Sequence, residues 1–138
     1  MTSLPVQATS DSELDTIFAP IFERIATGAV DREIDRRLPY AEIDWLRAAN
    51  FGALRVPVEF GGYGATVRQL FRLLIDLAAA ESNIPQALRV HFTFVEDRLL
   101  DGPGAKREHG CALWATVSWW VTRSPSPAWV RLTGTGPG

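Results

Sequence analysis

The sequence predicts an all-α fold, an antiparallel bundle of helices in one domain. Apolar residues recur at intervals of three and four along most of the first hundred residues, and capping residues, prolines and glycines mark where helices begin and end. The chain has 138 residues, close to the roughly 100 to 150 of a common domain. An apolar fraction of 46% and a charged fraction of 22% are typical of a globular protein.

The first two predicted helices cover residues 11–38 and 40–50. Ser10 or Asp11 caps the first, and Gly52 supplies a left-handed stop after the second. The apolar positions that predict these helices are Leu14, Ile17, Phe18, Ile21, Phe22, Ile25, Ile34 and Leu38 in the first and Ile43, Trp45 and Leu46 in the second.

An extended segment follows, ALRVPVEFGGYGAT, broken by Pro57 and three glycines. Thr66 then caps a third helix over residues 67–81, and Pro85 sits at the start of a fourth that runs to about residue 100. The predicted apolar faces are Val67, Leu70, Phe71, Leu74 and Ala78 on the third helix and Leu88, His91, Phe92, Val95 and Leu99 on the fourth.

Composition excludes several classes of protein. A net charge of −2 gives no electrostatic reason to bind nucleic acid or an anionic membrane. No apolar run approaches the roughly 18 to 20 residues of a membrane span, and the N-terminus lacks the order of a signal peptide, so we expect a cytoplasmic protein. Cys111 is the only cysteine, and His91 and His109 have no ligand spacing, so we expect no metal site.

Two local features invite a chemical interpretation. The glycines Gly61, Gly62 and Gly64 before a helix resemble a phosphate-binding loop, but no Lys-Ser/Thr pair follows and the GxGxxG spacing is absent, which favours a tight structural loop. His91, on the apolar face of the fourth helix, is either a catalyst or, as for most such histidines, a core or interface residue bonded to the backbone.

The order of motifs carries more information. Phe51-Gly52 is followed by Val56-Pro57, Glu59-Phe60 and the glycines of GGYG, and then by the two helices of LFRLLIDLAAAESNIPQALRVHFTFVEDRLL. This order resembles the N-terminal helical domain of the acyl-CoA dehydrogenase superfamily, which includes flavin-dependent monooxygenases, over residues 11–108. The resemblance implies an enzyme subunit that binds FAD or FMN between helical and β-sheet domains and forms a homo-oligomer.

The resemblance also implies an activity and a site. The activity is α,β-dehydrogenation of an acyl-CoA thioester with flavin as hydride acceptor, or, alternatively, flavin-dependent oxygenation of another small molecule. The dehydrogenase's glutamate base falls in a part of the family pattern absent here. For the monooxygenase branch, the resemblance implies that His91 is a catalytic candidate facing the flavin pocket. The predicted pocket lining is Leu88, His91, Phe92 and Val95, and the predicted structural loop contains Pro57, Gly61, Gly62 and Gly64.

The last segment departs from the pattern. Residues 109–138 contain four of the five tryptophans and no carboxylate, where the family has a stretch resembling GNAVTEPG. Because tryptophan has a single codon, a shifted frame forces glycine and valine at places that this stretch requires, which predicts a frameshift near residues 108–110. We therefore expect a disordered N-terminus at 1–10, a helical domain at 11–108 and an out-of-frame tail at 109–138. Such a chain would be inactive, poorly soluble and unable to retain flavin.

A non-enzymatic alternative stays open. A free-standing helical interaction module would use the Trp-rich tail as its binding surface, because exposed aromatic side chains concentrate binding energy.

Overall fold

A computed structural model of the chain describes residues 8–101 and 104. Within these residues the secondary structure is entirely helical, which confirms the predicted all-α helical bundle. The five α-helices are α1 (Asp11–Thr27), α2 (Ala29–Ile34), α3 (Tyr40–Ala48), α4 (Val67–Ala80) and α5 (Asn83–Leu100). Residues 1–7 and 109–138, on which the predicted disordered terminus and out-of-frame tail fall, lie outside the described part, although Thr9 and Ser10 are bonded within it.

Helices α1 and α4 begin with matching capping boxes. The Ser10 hydroxyl accepts from the amide of Glu13, whose carboxylate accepts from the amide of Ser10. Thr66 and Gln69 repeat the arrangement at the start of α4. Each box satisfies two amide donors that the first helical turn leaves without partners, so both predicted starts occur where the sequence places them.

The core forms where α1, α3, α4 and α5 meet. Phe51, just after α3, lies at its centre, with its ring 5.1 Å from that of Phe18 and 5.9 Å from those of Phe22 and Phe92. These edge-to-face contacts join α1 to α5. The other large buried side chains of this core are Leu14, Ile25, Leu46, Leu54, Leu73, Leu77, Ile84 and Leu88.

The prediction of one helix over residues 11–38 is wrong. α1 ends at Thr27, Gly28 forms a turn, and the short α2 follows as a separate helix. The exposed Ile34 and Leu38 therefore do not continue the buried face of α1. The stop predicted at Gly52 is also displaced, because Asn50 adopts the left-handed conformation, with φ of 55°, that ends α3.

α4 buries only part of the predicted face, to which Leu70 and the half-buried Leu74 belong. Leu70, Leu73 and Leu77 lie in the core, whereas Val67 and Phe71 are exposed. Arg68 and Arg72, on another flank of α4, pair with Asp11 and Asp15 of α1. The helix thus carries two apolar stripes, and Val67, Phe71 and Ile75 form the one that the described residues leave open to solvent.

Candidate functional site

The segment between α3 and α4, residues 49–66, is called the glycine loop below. It contains two single-turn 3₁₀ helices, at Phe51–Ala53 and Val58–Phe60, rather than the predicted extended chain. The chain bends back on itself, because the amides of Tyr63, Gly64 and Ala65 donate to carbonyls of residues 53, 56 and 54 at 2.8–3.2 Å.

The bonds of the glycine loop decide what its glycines do. The amides of Gly61 and Gly62 donate to Val58 and Pro57, so every backbone amide from residue 60 to residue 65 has a partner within the loop. A phosphate group bound there would have to break those bonds. The geometry therefore supports the tight structural loop over the phosphate-binding interpretation.

Two of the glycines are required for different physical reasons. A Cβ at Gly62 would lie 2.1 Å from the carbonyl oxygen of Val56 and 2.6 Å from that of Ala53, both backbone atoms. At Gly61 the space is open, but φ is +86°, a left-handed conformation that side chains disfavour. Gly62 is needed for close packing and Gly61 for the direction of the chain.

His91 connects α5 to the first turn of the glycine loop. Its Nε2–H donates to the carbonyl of Gly52, with 2.7 Å between nitrogen and oxygen, and its ring lies edge-on to Phe92 at 5.1 Å. Burial lowers the pKa of His91, and the hydrogen bond to Gly52 opposes this effect without cancelling it. The imidazole is therefore neutral at neutral pH and positioned at the edge of the core.

The other three residues predicted to line a pocket lie deeper than His91. Leu88 and Phe92 belong to the main core, and Val95 packs with Ala53 and Val56 of the glycine loop in a smaller cluster. Each is at most 5% exposed. Of the predicted set, only His91 is partly exposed in the described structure, and the lining of a substrate or flavin cavity by these four residues stays a prediction.

A half-buried ion pair that sequence reasoning missed fastens the glycine loop to α5. The Arg55 guanidinium meets the Glu96 carboxylate through two parallel bonds of 2.5 and 3.1 Å, and it also donates to the carbonyl of Ala65. No local signal could identify this pair, because its members are 41 residues apart. Together with His91 and Val95, it holds the loop on one side of α5.

A second missed group is a buried ionic cluster around Arg32. The Arg32 guanidinium lies 2.8 Å from Glu42 of α3 and 2.7 Å from Glu81, the residue that ends α4. It also donates to the carbonyl of Ile25 in α1. All three charged side chains are at most 10% exposed, and this one side chain therefore joins α2 to three other helices.

Neither metal ligation nor membrane insertion is indicated by the described residues. Among them, no three His, Cys, Asp or Glu side chains are grouped closely enough to hold a metal ion. None of the helices in this part of the chain combines the length and apolarity required to cross a membrane.

Comparison with known proteins gives a distant relationship. No family model and no solved structure matches the chain. Several curated proteins do. Dibenzothiophene monooxygenases of Rhodococcus erythropolis and Rhodococcus qingshengii are each 26% identical to it over 117 residues, which cover 85% of this chain and 28% of the relative.

The chain therefore spans a little over a quarter of the length of the curated relatives that it matches. The similarity extends over most of this chain, and the relatives that it matches are named as monooxygenases. It indicates an enzyme-like, oxidoreductase-like ancestry.

Proposed function

We propose that this chain forms the N-terminal helical part of a flavin-dependent monooxygenase related to the acyl-CoA dehydrogenases. The observation that carries the proposal is the match to dibenzothiophene monooxygenases over 85% of the chain. The order of Phe51-Gly52, Val56-Pro57 and the GGYG glycines supports it as well, because that order resembles the acyl-CoA dehydrogenase superfamily.

In this proposal the glycine loop and α5 form one wall of the active site. His91 is the polar group at the edge of that wall. Its hydrogen bond to Gly52 fixes the ring orientation, and burial, which lowers the pKa of His91, keeps the imidazole neutral at neutral pH. A neutral imidazole can accept or relay a proton beside a substrate, whereas Leu88, Phe92 and Val95 support it from the interior and exclude water.

The glycine loop does not offer a phosphate cradle for FAD or FMN. The glycine loop amides from residue 60 to residue 65 are all bonded within the loop, so we propose that the flavin phosphates are held by other parts of the protein. The flavin, when bound, would supply the oxygen chemistry. Residues of this chain would supply packing and the His91 imidazole.

The proposal also requires further protein to cover the bundle. Val67, Phe71 and Ile75 lie four residues apart on one side of α4 and are 45%, 59% and 67% exposed. Contiguous exposed apolar side chains of this kind mark contact surfaces. We therefore propose that α4 contacts other domains or subunits of a homo-oligomeric enzyme.

Acyl-CoA dehydrogenation is the second candidate. It is favoured by the same motif from Phe51 to Gly64, which both branches of the superfamily share. The two candidates differ in their substrates: an acyl thioester is oxidised with an electron acceptor in place of oxygen, whereas the monooxygenase consumes oxygen and leaves one of its atoms in the product.

The deciding experiment begins with the gene. It is resequenced and its downstream frames are translated, and the protein encoded by the continuous frame is purified and analysed for bound flavin. Reduced flavoprotein is then mixed with oxygen and dibenzothiophene, and, separately, oxidised flavoprotein with an acyl-CoA and a dye acceptor. We expect an oxygenated product. Dye reduction by the acyl thioester without oxygenation would establish the dehydrogenase instead.

The interaction-module alternative makes a separate prediction. If no downstream frame encodes further flavoprotein, the monooxygenase proposal fails, and the 138-residue chain is assayed for partner binding with and without residues 110–138. Loss of binding on deletion supports the module, and unchanged binding or better solubility contradicts it.

A further inference from the structure

The segment between α1 and α3, residues 28–39, is called the strap below. It includes all of α2 and is held to the rest of the bundle in an unusual way. Arg32 is its only buried residue. Its large apolar side chains point to solvent, since Val30, Ile34 and Leu38 are 69%, 74% and 67% exposed. The strap therefore contributes no apolar side chain to the core.

The single buried residue is held by charges. The Arg32 guanidinium bonds to Glu42, to Glu81 and to the carbonyl of Ile25. Glu42 and Glu81 belong to the body of the bundle, in α3 and at the end of α4. The strap is therefore anchored by one buried guanidinium, which binds two carboxylates and a backbone carbonyl of the rest of the bundle.

Backbone features at both ends of the strap suit a hinge. Gly28 breaks the helix between α1 and α2, and a Cβ there would lie 2.6 Å from Nη1 of Arg32, so the glycine makes room for the anchor. Near the other end, Arg36 adopts φ of 52°, a left-handed conformation uncommon outside glycine and asparagine. Neither end continues the helix of the adjacent body.

Backbone bonds that leave the strap lie at its two ends, where Gly28 donates to Ala26, Tyr40 to Leu38 and Ile43 to Pro39. Between those ends the backbone bonds run between residues of the strap. Arg32 donates to Gly28 at 3.1 Å, Asp35 to Asp31 at 3.0 Å and Arg37 to Arg32 at 2.9 Å. A helix of six residues is not stable by itself in water. When the anchor is released, these bonds therefore break with it.

We propose that residues 28–39 are a strap that opens as a unit when Arg32 leaves Glu42, Glu81 and the carbonyl of Ile25, while the rest of the bundle stays folded. Segments with few buried apolar contacts open with free energies far below that of global unfolding. Opening exposes Glu42 and Glu81 to water and frees the apolar side chains of α2 to reorient. The strap is thus a conformational device that is independent of the proposed enzyme activity.

Native-state amide hydrogen exchange of the full 138-residue chain tests the proposal. We expect the amides of Arg32, Asp35 and Arg37 to exchange at least 100-fold faster than those of Leu73 and Leu77 in α4, with little dependence on low concentrations of denaturant. Equal protection of strap and α4, with the same denaturant dependence, would overturn the proposal.

Substitution of the anchor separates a strap from a general destabilisation. Arg32→Lys keeps the charge, but one ammonium group does not reproduce the arrangement of bonds to Glu42, Glu81 and Ile25. We expect a further 10-fold or greater loss of protection within residues 28–39 and none in α4. The matched control is Arg37→Lys, which alters an exposed strap arginine paired with Asp35 and should change neither region.

The remaining outcomes are also decisive. If Arg32→Lys accelerates exchange equally in all helices, or prevents folding, Arg32 holds the entire bundle and the proposal is wrong. If it leaves the strap unchanged, the ionic cluster is not the anchor.

Discussion

The glycine loop and the strap are both connections between helices, yet they are held in opposite ways. The glycine loop has bonded backbone amides, places Phe51 at the centre of the core and buries Leu54 and Val56. The strap buries only Arg32 and relies on an ionic cluster. Backbone bonds and apolar burial make a connection part of the cooperative core, whereas a single buried charge with paired partners makes it a separable unit.

The largest expected effect comes from Gly62→Ala in the glycine loop. The added methyl group would overlap the carbonyl oxygens of Val56 and Ala53, and these backbone atoms cannot move without breaking the loop's hydrogen bonds. We expect a loss of about 3 kcal/mol in the free energy of unfolding, measured by urea denaturation.

Gly61→Ala is the matched control, because the added Cβ meets open space. The only cost there is the left-handed backbone conformation, which alanine disfavours. We expect a loss of about 1 kcal/mol. Equal effects at both positions would mean that the close packing around Gly62 contributes nothing.

Gly28→Ala tests the other side of the comparison. Because alanine can adopt the φ of −103° at Gly28, the lower conformational entropy of the unfolded chain alone predicts a gain of at most about 1 kcal/mol. Because the Cβ would displace Nη1 of Arg32 from Glu42, a hydrogen bond between charged groups worth about 2 kcal/mol is lost, and we expect a net loss of about 1 kcal/mol. Hydrogen exchange should place this loss in the strap, and a more stable variant would contradict the role of Gly28.

Tyr63→Phe removes one side-chain bond from the glycine loop without changing its packing. The Tyr63 hydroxyl donates to the carbonyl of Ala49 at 2.7 Å, and we expect a loss of about 0.5 to 1 kcal/mol on urea denaturation. Burial raises the pKa of Tyr63 above its ordinary value of 10.0. The folded state therefore favours the neutral phenol, and the contribution of Tyr63 to stability should be lost as pH rises above about 10.

His91, which joins α5 to the glycine loop, makes the stability of the fold depend on pH. Burial lowers its pKa below the ordinary value of 6.5, so the unfolded chain takes up a proton first as pH falls. Its contribution to stability is complete above pH 6.5 and declines below it, by at most about 1.4 kcal/mol per pH unit. His91→Gln should flatten the dependence of the unfolding free energy on pH between pH 5 and 7, measured by urea denaturation at each pH.

Much of the fold follows from local sequence. Ser10 with Glu13 and Thr66 with Gln69 place two helix starts correctly, because each capping box is complete within four residues. The all-helical architecture follows from the three- and four-residue recurrence of apolar side chains. Gly61, Gly62 and Gly64 predict the tight loop before α4, although they do not predict its two 3₁₀ turns.

The contacts of the candidate site do not follow from local sequence. His91 was identified from its helical position, but its acceptor, Gly52, is 39 residues away. Arg55 with Glu96 and Arg32 with Glu81 are separated by 41 and 49 residues. Ordinary surface arginines and glutamates have the same local pattern, so neither pair could be distinguished from solvated charge.

The sequence by itself determined where helices form, how α1 and α4 begin, and that glycines turn the chain before α4. Tertiary structure decided which of the two apolar stripes of α4 faces inward and that the first helix breaks at Gly28. The physical reason is that periodicity and capping act over four residues, whereas burial and ion pairing depend on side chains that folding brings together from distant helices.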